Sequence, residues 1–404
     1  MKRGRSLTDR NQRPRQAVIL AGGRGTRLRP FTDTMPKPMV PINGKPFLEY
    51  LIVLLREQGF ERVLMLLGYL PDAVVDYFGD GSAFGLHIDY SITDVENETG
   101  RRLKLAYERL DSNFLLMYSD NYWPMPFDLM WEHFLKYHTS AQITAYINSD
   151  GYSRSNLRID DGMVTLYDKS RTSDSLGGVD IGFAIIEKDV LNLFGDENVN
   201  FEKVVYPILS ERRKLVAYVT SHRYYSVGSP ERLCLTERFL ERRPAIIIDR
   251  DGVLNEKAPK AEYVRSWHDF KWLPGAQEAI RLLKDSGYLI VIVTNQAGIA
   301  RGMMTENDLE RIHEMMKKNL MRNGSSIDAI YYCPHGWDDG CDCRKPNPGM
   351  LFKAQKEFHL DLSRVYFIGD DSRDKETAMR AGCMFLMVHD DVSLLQLVKE
   401  RVLR

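Results

Sequence analysis

Two aspartates directly follow an apolar run in the second half of the chain. The uncharged segment 245–248 leads into Asp249-Arg250-Asp251-Gly252. Carboxylates at the end of a buried strand are costly unless they bind a metal or take part in chemistry. A carboxylate nucleophile beside a second carboxyl group that acts as acid or base can hydrolyse a phosphate ester through an aspartyl-phosphate. Taken alone, the motif also fits a solvated turn.

Further polar residues follow other apolar runs of the same half. Thr294-Asn295-Gln296 offers a hydroxyl and two amides suited to phosphate oxygens, Lys345 stands before a proline, and Asp370 ends a third apolar run. Because the carboxyl ends of parallel strands open into one crevice of a doubly wound sheet, we expect Asp249, Thr294 and Asp370 to lie close together.

Three cysteines and a histidine lie within eleven residues of one another. They are Cys333, His335, Cys341 and Cys343, in a segment rich in glycine, aspartate and proline. Three thiols and an imidazole match a closed, tetrahedral structural Zn²⁺ site. The chain has five cysteines, which are too few for a disulfide scaffold and odd in number. We therefore expect a reducing, cytoplasmic location.

The first half of the chain carries a glycine-rich loop after a short apolar strand. The loop, Ala21-Gly22-Gly23-Arg24-Gly25-Thr26-Arg27, has three glycines that let the backbone approach a ligand and two arginines that add positive charge. Shortly afterwards, Pro36-Lys37-Pro38 holds one lysine in an extended segment. The combination suits a diphosphate or a triphosphate.

Together with the strand residue before it, this loop resembles the signature of the sugar-1-phosphate nucleotidyltransferases, across about residues 17–235. The resemblance implies that Arg27 and Lys37 stabilise charge as pyrophosphate leaves, and that Asp120 binds magnesium. It implies sugar-phosphate contacts at Lys169, Asp180 and Glu202. It also implies a nucleotide site at Leu20, Ala21, Gly22, Gly23, Arg24, Gly25, Thr26, Thr99 and Gly100.

Two segments depart from the pattern of that family. Of the segment that reads the base in that family, this chain keeps only Thr99 and Gly100. Ser226 stands where the family has a magnesium-binding aspartate. A hydroxyl is a much poorer Mg²⁺ ligand than a carboxylate. Transferase activity could therefore be weak, could use one carboxylate, could recruit Asp180, or could be lost, leaving a domain that binds a sugar nucleotide.

The aspartate motif, with Thr294, Lys345 and Asp370 in the same order, resembles the haloacid-dehalogenase phosphatase superfamily, across about residues 245–395. The resemblance implies that Asp249 is the nucleophile, that Asp251 protonates the leaving group, and that Thr294 and Lys345 hold the phosphoryl group. It implies Mg²⁺ bound by Asp249, Asp370 and the backbone carbonyl of Asp251.

The cysteine loop and the segment 294–302 are similar to the heptose 1,7-bisphosphate 7-phosphatase branch of that superfamily. Histidinol-phosphate phosphatases are near relatives of the branch. The resemblance implies the substrate contacts Lys257, Lys260, Asn295, Gln296 and Arg344.

Alternating apolar and amphipathic segments must position these residues. The pattern predicts an α/β protein with two doubly wound, Rossmann-like domains, which the resemblances make a GT-A-like nucleotidyltransferase fold and a HAD-like fold with a zinc-bound loop. We expect a flexible basic N-terminus at 1–15, a nucleotidyltransferase domain at 16–240, a linker at 241–244 and a phosphatase domain at 245–404. The predicted strands of the second domain are 245–248, 288–293, 327–332, 364–368 and 383–388, and its predicted helices are 275–286, 305–322, 348–358 and 373–381.

Composition narrows the possible partners. The chain of 404 residues has a formal net charge of -1, which argues against a protein that coats nucleic acid or an anionic membrane. No apolar run is long enough to span a bilayer.

The expected ligands are sugar phosphates and an NTP, with Mg²⁺ and Zn²⁺ as metals, and the oligomeric state stays open. The leading hypothesis is a bifunctional enzyme that removes the 7-phosphate of a heptose bisphosphate and then activates the 1-phosphate. The alternative is a histidinol-phosphate or other sugar-phosphate phosphatase fused to a catalytically silent nucleotide-binding domain.

Overall fold

The computed structural model describes residues 12–259 and 262–404. The chain divides into two compact units, Met1–Leu240 and Glu241–Arg404. The predicted flexible terminus lies mostly outside the described residues, but Arg13 is anchored. Its guanidinium stacks over the Phe127 ring, 4.8 Å from the centroid, and its Nε lies 2.6 Å from Asp128 Oδ1. A cation–π contact and an ion pair thus hold the Arg13 side chain against the unit.

The first unit is built around a large mixed sheet. Its strands are β1 Gln16–Ala21, β2 Pro41–Ile42, β3 Lys45–Pro46, β4 Arg62–Leu67, β5 His87–Ile92, β6 Asn113–Tyr118, β7 Asn121–Tyr122, β8 Ala141–Ile147, β9 Leu157–Asp160, β10 Met163–Tyr167, β11 Gly178–Glu187, β12 Leu215–Thr220 and β13 Tyr225–Ser226. Its helices are α1 Phe47–Glu57, α2 Asp72–Phe78, α3 Thr99–Leu105, α4 Phe127–Tyr137, α5 Phe201–Glu211 and α6 Pro230–Leu240.

Nine of these strands form one sheet in the order β5-β4-β1-β6-β11-β8-β12-β10-β9. The strands β5, β4, β1 and β6 are parallel, as a doubly wound domain requires, but β11 is antiparallel to both β6 and β8. The expectation of a doubly wound sheet therefore fails beyond β6. The second half of the unit keeps one parallel pair, β8 and β12, but adds a hairpin, β9 and β10, and a long reversed strand, β11.

Alternate residues of β1 contribute to two hydrophobic cores. Ala17 and Ile19 pack on the face covered by α1, whereas Val18 and Leu20 pack on the face covered by α3 and α5. A strand buried on both faces must be apolar at every position, which explains the continuous apolar run in the sequence. The polar groups of the loop after β1 are thus held at a fixed edge of the sheet.

The second unit contains a five-stranded sheet with helices on both faces. The strands, all parallel and in the order β16-β15-β14-β17-β18, are β14 Ala245–Asp249, β15 Leu289–Asn295, β16 Ala329–Cys333, β17 Tyr366–Gly369 and β18 Met384–Met387. The helices are α7 Ala276–Asp285, α8 Glu306–Arg322, α9 Gly349–Phe358, α10 Ser372–Ala381 and α11 Leu394–Leu397. Each predicted strand and helix of this unit is present within about two residues of its predicted bounds.

Buried residues of α7 and α8 pack in one core and buried residues of α9 and α10 in the other. This two-sided cover is the doubly wound arrangement that the sequence predicts for this unit. Among the described residues, none of the helices is both long and apolar enough to cross a membrane.

Candidate active sites

The central strands of the second unit bring the predicted phosphatase residues to one edge of the sheet. The strand β14 ends at Asp249 and lies between β15, which ends at Asn295, and β17, which ends just before Asp370. A cavity of about 480 Å³ opens at this edge, and its lining includes Asp249, Asp251 and Thr294. The convergence expected from the sequence is therefore present.

A buried lysine joins two carboxylates in this cavity. Lys345 Nζ lies 2.8 Å from Asp249 Oδ2 and 2.7 Å from Asp374 Oδ1. Burial alone would lower the pKa of Lys345, but the carboxylates of Asp249 and Asp374 raise it above its usual value, so the ammonium stays charged. Burial raises the pKa of Asp249 to about 7, and the Lys345 ammonium opposes that rise.

Three carboxylates cluster at the same point. Asp249, Asp370 and Asp374 each present an oxygen within 4.8 Å of the others. Asp370 Oδ1 is buried and accepts no hydrogen bond from the described residues. Gly252 has φ +89°, and a Cβ there would lie 2.2 Å from Asp370 Oδ2. A cluster of carboxylate oxygens with one oxygen unpaired fits a hard divalent cation such as Mg²⁺.

Asp374 is a member of this cluster that sequence analysis missed. It follows Asp370 by four residues at the start of α10. That spacing places both carboxylates at the amino-terminal end of one helix, which was the signal available in the sequence.

Asp251, the predicted acid, does not join the carboxylate cluster. Its carboxylate accepts hydrogen bonds from Arg250, from Asn255 Nδ2 at 2.9 Å and from Gln296 Nε2 at 2.8 Å. Burial raises the pKa of Asp251, but the Arg250 guanidinium and these hydrogen bonds more than offset burial, so the pKa lies below its usual range.

Two amides predicted to bind substrate are used to position other residues. Asn295 donates to the carbonyl oxygen of Lys345 at 3.1 Å and accepts from its backbone N–H at 3.1 Å. Gln296 donates to Asp251 and to Thr294 Oγ1. Both residues also line the cavity, so the substrate contacts expected of Asn295 and Gln296 stay a prediction.

The remaining predicted substrate residues lie around the mouth of the cavity. Lys257 Nζ is 2.7 Å from Asp370 Oδ2, and Arg344 lines the cavity. Lys260 lies outside the described residues. Two cavity residues were missed: Asp371 and Arg373 also line the cavity and form a two-point ion pair with each other, with an Nη2–Oδ2 distance of 2.7 Å.

The predicted zinc ligands come together at the end of β16. The Sγ atoms of Cys333 and Cys343 lie 3.6 and 3.5 Å from Cys341 Sγ, and His335 Nδ1 lies 3.2 Å from Cys343 Sγ. Zinc bonds to sulfur and nitrogen give tetrahedral edges of about 3.5–3.8 Å, whereas a disulfide needs about 2 Å. The donor set and its spacing therefore fit zinc.

In the first unit, a cavity of about 460 Å³ forms at the carboxyl end of β1. Lys37 Nζ lies 2.5 Å from Asp120 Oδ2 across it. Burial raises the pKa of Asp120, but Lys37 and more weakly Arg27 outweigh burial, so the pKa lies below its usual value. The predicted nucleotide residues that line this cavity are Leu20, Ala21, Gly22, Gly23, Gly25, Thr26 and Thr99.

Two predicted nucleotide residues do not line this cavity. Arg24 is exposed and pairs with Glu96, with an Nη2–Oε1 distance of 2.7 Å. Gly100 faces Val199 instead, because its N–H donates to the Val199 carbonyl and a Cβ would lie 2.7 Å from that oxygen. Arg102, which sequence analysis did not single out, is a buried residue of the cavity lining and donates to the carbonyls of Leu67 and Asp94.

A second cavity of the first unit, about 300 Å³, contains the predicted sugar-phosphate residues. Lys169 forms an ion pair with Glu202, and Asp180 accepts a hydrogen bond from the Tyr167 hydroxyl at 3.0 Å. Burial raises the pKa of Asp180. Arg27 and Asp120 line both cavities. The arginine predicted to stabilise phosphate charge and the aspartate predicted to bind magnesium therefore lie between the candidate nucleotide site and the candidate sugar site.

Ser226 lies beside the Asp120 segment. It pairs with Asn121 between β13 and β7, and it lines the cavity with Asp120 and Asp180. In the part of the chain that the structure describes, no group of three His, Cys, Asp or Glu donors gathers in the first unit. The hydroxyl thus occupies the position that the resemblance gives to a second carboxylate.

Comparison with known proteins agrees with both halves of this description. A family model described as nucleotidyl transferase matches residues 16–155, and one described as polynucleotide kinase 3 phosphatase matches residues 245–385. A solved Bacillus anthracis protein, provisionally designated a glucose-1-phosphate thymidylyltransferase, shares the fold with a TM-score of 0.50 at 17% identity, covering 55% of this chain and 93% of that one.

The fold and the sites define an enzyme that combines a nucleotidyltransferase domain with a phosphatase domain of the HAD type. The D-glycero-beta-D-manno-heptose-1,7-bisphosphate 7-phosphatase of Bordetella bronchiseptica is 43% identical over 138 residues, 34% of this chain and 76% of the relative. The protein of the same name from Pseudomonas aeruginosa is 39% identical over 146 residues, 36% of this chain and 81% of the relative. Through its second unit, the chain belongs to this phosphatase family, as the cysteine loop and the segment 294–302 predict.

Proposed function

We propose that this chain catalyses two steps of sugar-nucleotide biosynthesis. The second unit hydrolyses the 7-phosphate of D-glycero-D-manno-heptose 1,7-bisphosphate, and the first unit transfers a nucleotidyl group from an NTP to the resulting heptose 1-phosphate. The relatives of the second unit support the phosphatase substrate. The contact of Lys345 with Asp249 and Asp374 carries the phosphatase proposal, since it places a charged lysine against a candidate nucleophile.

In the phosphatase, Asp249 attacks phosphorus and Asp251 gives a proton to the departing sugar oxygen. Asp251 is ionised before substrate binds, and the negative charge of the bound phosphate ester raises its pKa so that it takes up this proton in the complex. Lys345 and Thr294 hold the phosphoryl oxygens. Asp249, Asp370 and Asp374 would hold Mg²⁺, which when bound neutralises charge on the phosphoryl group. Water then attacks the phosphorus of the aspartyl-phosphate, its proton passes to the ionised Asp251, and the bond between phosphorus and Asp249 breaks, which releases phosphate and restores the Asp249 carboxylate.

In the transferase, the glycine-rich loop binds the NTP phosphates through backbone N–H groups. Arg27 and Lys37 stabilise negative charge at the α-phosphate, where the two cavities meet. Asp120 would hold Mg²⁺, which when bound compensates charge on the triphosphate. We favour GTP as the nucleotide because a guanylyltransferase for a manno-configured heptose 1-phosphate is the natural partner of this phosphatase.

Ser226 supports a second candidate, in which the first unit binds a sugar nucleotide without transferring one. The test is pyrophosphate release from GTP, ATP, CTP and UTP, each with heptose 1-phosphate. Release with one NTP supports the transferase, and the absence of release with all four favours the silent domain. Release of inorganic phosphate from heptose 1,7-bisphosphate in the same preparation tests the phosphatase separately.

We further propose that Cys333, His335, Cys341 and Cys343 bind one zinc ion. The loop leads directly into Arg344 and Lys345, and Arg344 Nη1 donates to the His335 carbonyl at 3.2 Å. Zinc would thus fix the segment that presents both cations. A thiolate site also fits the cytoplasmic location that the sequence predicts.

Replacing Cys341 with serine is expected to remove the zinc, because a neutral hydroxyl is a poor substitute for a thiolate ligand. Elemental analysis should fall from about one zinc per chain to less than about 0.1, and phosphate release should fall by about 100-fold. Cys234→Ser, at an exposed thiol of the first unit, is the control and should change neither quantity. Purified wild-type protein without zinc would contradict the proposal.

Replacing Asp168 with alanine is expected to raise the KM for the sugar phosphate by about 10-fold. The Asp168 carboxylate accepts backbone hydrogen bonds from Ser170, Thr172 and Ser173, and this turn carries two cations of the sugar cavity, Lys169 and Arg171. The measurement is pyrophosphate release at varied sugar phosphate and, separately, at varied NTP. Asp174→Ala, at an exposed neighbouring carboxylate, should leave both KM values unchanged. An equal rise in the KM for NTP would show that Asp168 does not act through the sugar cavity.

A further inference from the structure

A fully buried arginine contacts the carboxylate of Asp251. Arg250 is 0% exposed, and its guanidinium approaches both carboxylate oxygens, with Nη2 at 3.0 Å from Oδ1 and 2.9 Å from Oδ2. Removing a guanidinium from water is costly unless its donors are paired. The function described above uses Asp251 but gives Arg250 no role.

The opposite side of the guanidinium contacts a buried histidine. Arg250 Nη1 lies 3.1 Å from Nε2 of His313, which is on α8. Arginine can only donate hydrogen bonds, so Nε2 must be the acceptor and the ring proton must be on Nδ1. Burial and the Arg250 charge lower the pKa of His313 to about 3, which keeps the ring neutral and able to accept.

The two oxygens of Asp251 consequently have different surroundings. Oδ1 accepts from Arg250 Nε at 3.2 Å and from Asn255 Nδ2 at 2.9 Å. Oδ2 accepts from Arg250 Nη2 at 2.9 Å, from Gln296 Nε2 at 2.8 Å and from Thr294 Oγ1 at 3.3 Å. Thr294 and Gln296 line the cavity. The oxygen on the cavity side is therefore Oδ2.

We propose that Arg250 and His313 are positioning residues that hold the Asp251 carboxyl group with Oδ2 facing the leaving oxygen of the substrate. His313 fixes the guanidinium from behind, and the guanidinium fixes the rotation of the carboxyl group. The proposal rests on the role of Asp251 in the proposed function. In that step the bond between phosphorus and Asp249 forms, the bond between phosphorus and the sugar oxygen breaks, and the proton passes from Asp251 to that oxygen.

This role makes the need for Arg250 and His313 depend on the leaving group. A sugar alkoxide leaves poorly without a proton, whereas 4-nitrophenolate leaves readily as the anion. Misplacing the Asp251 carboxyl group should therefore slow hydrolysis of a sugar phosphate much more than hydrolysis of 4-nitrophenyl phosphate. General damage to the fold would slow both reactions by the same factor.

The test compares kcat for heptose 1,7-bisphosphate and for 4-nitrophenyl phosphate in the full chain. His313→Leu removes the acceptor and should lower kcat about 30-fold for the sugar phosphate and less than about 3-fold for the aryl phosphate. His313→Gln offers an amide oxygen to Arg250 and should recover most of the loss. Met316→Leu, at a buried residue of the same helix, is the control and should alter neither kcat.

Arg250→Lys provides a second variant, which keeps the positive charge but loses the planar guanidinium that contacts both oxygens of Asp251. It should show the same selective loss of kcat for the sugar phosphate. Equal factors for the two substrates in His313→Leu and Arg250→Lys, or no loss in either variant, would overturn the positioning role. Asp251→Asn separates this result from the proposed function. If Asp251→Asn slows both substrates equally, the acid role of Asp251 is wrong, and if the wild type hydrolyses neither substrate, the phosphatase proposal itself is wrong.

Discussion

Replacing Asp249 with asparagine is expected to lower phosphate release from heptose 1,7-bisphosphate by at least about 1,000-fold. An amide cannot form the aspartyl-phosphate, and the substitution also removes one oxygen of the carboxylate cluster. Lys345 would keep Asp374 as a partner, at 2.7 Å, so the lysine is not left unpaired in the interior. The loss should therefore be one of chemistry rather than of folding.

The informative measurement is release of phosphate and of pyrophosphate by one preparation of this variant. Pyrophosphate release from an NTP and heptose 1-phosphate should match that of the wild type, because Asp249 and the glycine-rich loop belong to different units. Asp285→Asn, at the end of α7, is the control and should retain both activities. Loss of both activities in Asp249→Asn would contradict independent sites, and retention of phosphate release would remove Asp249 from the nucleophile role.

Replacing Lys37 with methionine is expected to lower pyrophosphate release by about 100- to 1,000-fold, the range found when one charged or hydrogen-bonding group is removed from a reacting centre. Methionine keeps the apolar stem of lysine, one atom shorter, but carries no charge. The Asp120 carboxylate would then face the triphosphate without the ammonium that now lies 2.5 Å away. We expect the transfer step to be lost more completely than NTP binding, since the backbone of the loop still contacts the phosphates.

A pyrophosphate assay at saturating NTP, together with calorimetric titration of the NTP, separates transfer from binding. Lys45→Met, at an exposed lysine of the same unit that pairs with the buried Glu49, is the matched control and should retain full activity. Phosphate release by the second unit should be unchanged in both variants. If Lys37→Met releases pyrophosphate at the wild-type rate, the charge role of Lys37 is refuted.

The elements of the second unit could be predicted closely because each strand is a short apolar run followed by an amphipathic helix. The local pattern of apolar residues identifies each strand and helix. Regular alternation of strands and helices then predicts a parallel sheet, because each helix connects two parallel strands. The first unit was predictable only as far as β6. Beyond it, β9 and β10 form a hairpin and β11 reverses direction in the middle of the sheet, and such pairings depend on contacts that are distant in sequence.

The candidate sites show the same division. Asp249, Thr294 and Lys345 could be predicted because each stands in a motif with a recognisable resemblance. Asp374 could not be separated from an ordinary helix-start aspartate until the structure placed it against Lys345. Arg250 gave no signal at all, since an arginine between two aspartates is normally exposed, and only the contact with His313 on a distant helix explains its burial.

Gly252 also limits how this chain can diverge from its relatives. Any other residue there would have to adopt φ +89° and, at the same time, displace the Asp370 carboxylate that its Cβ would meet at 2.2 Å. The two obstacles are independent, so no single compensating substitution relieves both. At Gly302, with φ +66° and no atom within 4 Å of a new Cβ, only the first obstacle exists. Substitution among homologues should accordingly be more restricted at position 252 than at position 302.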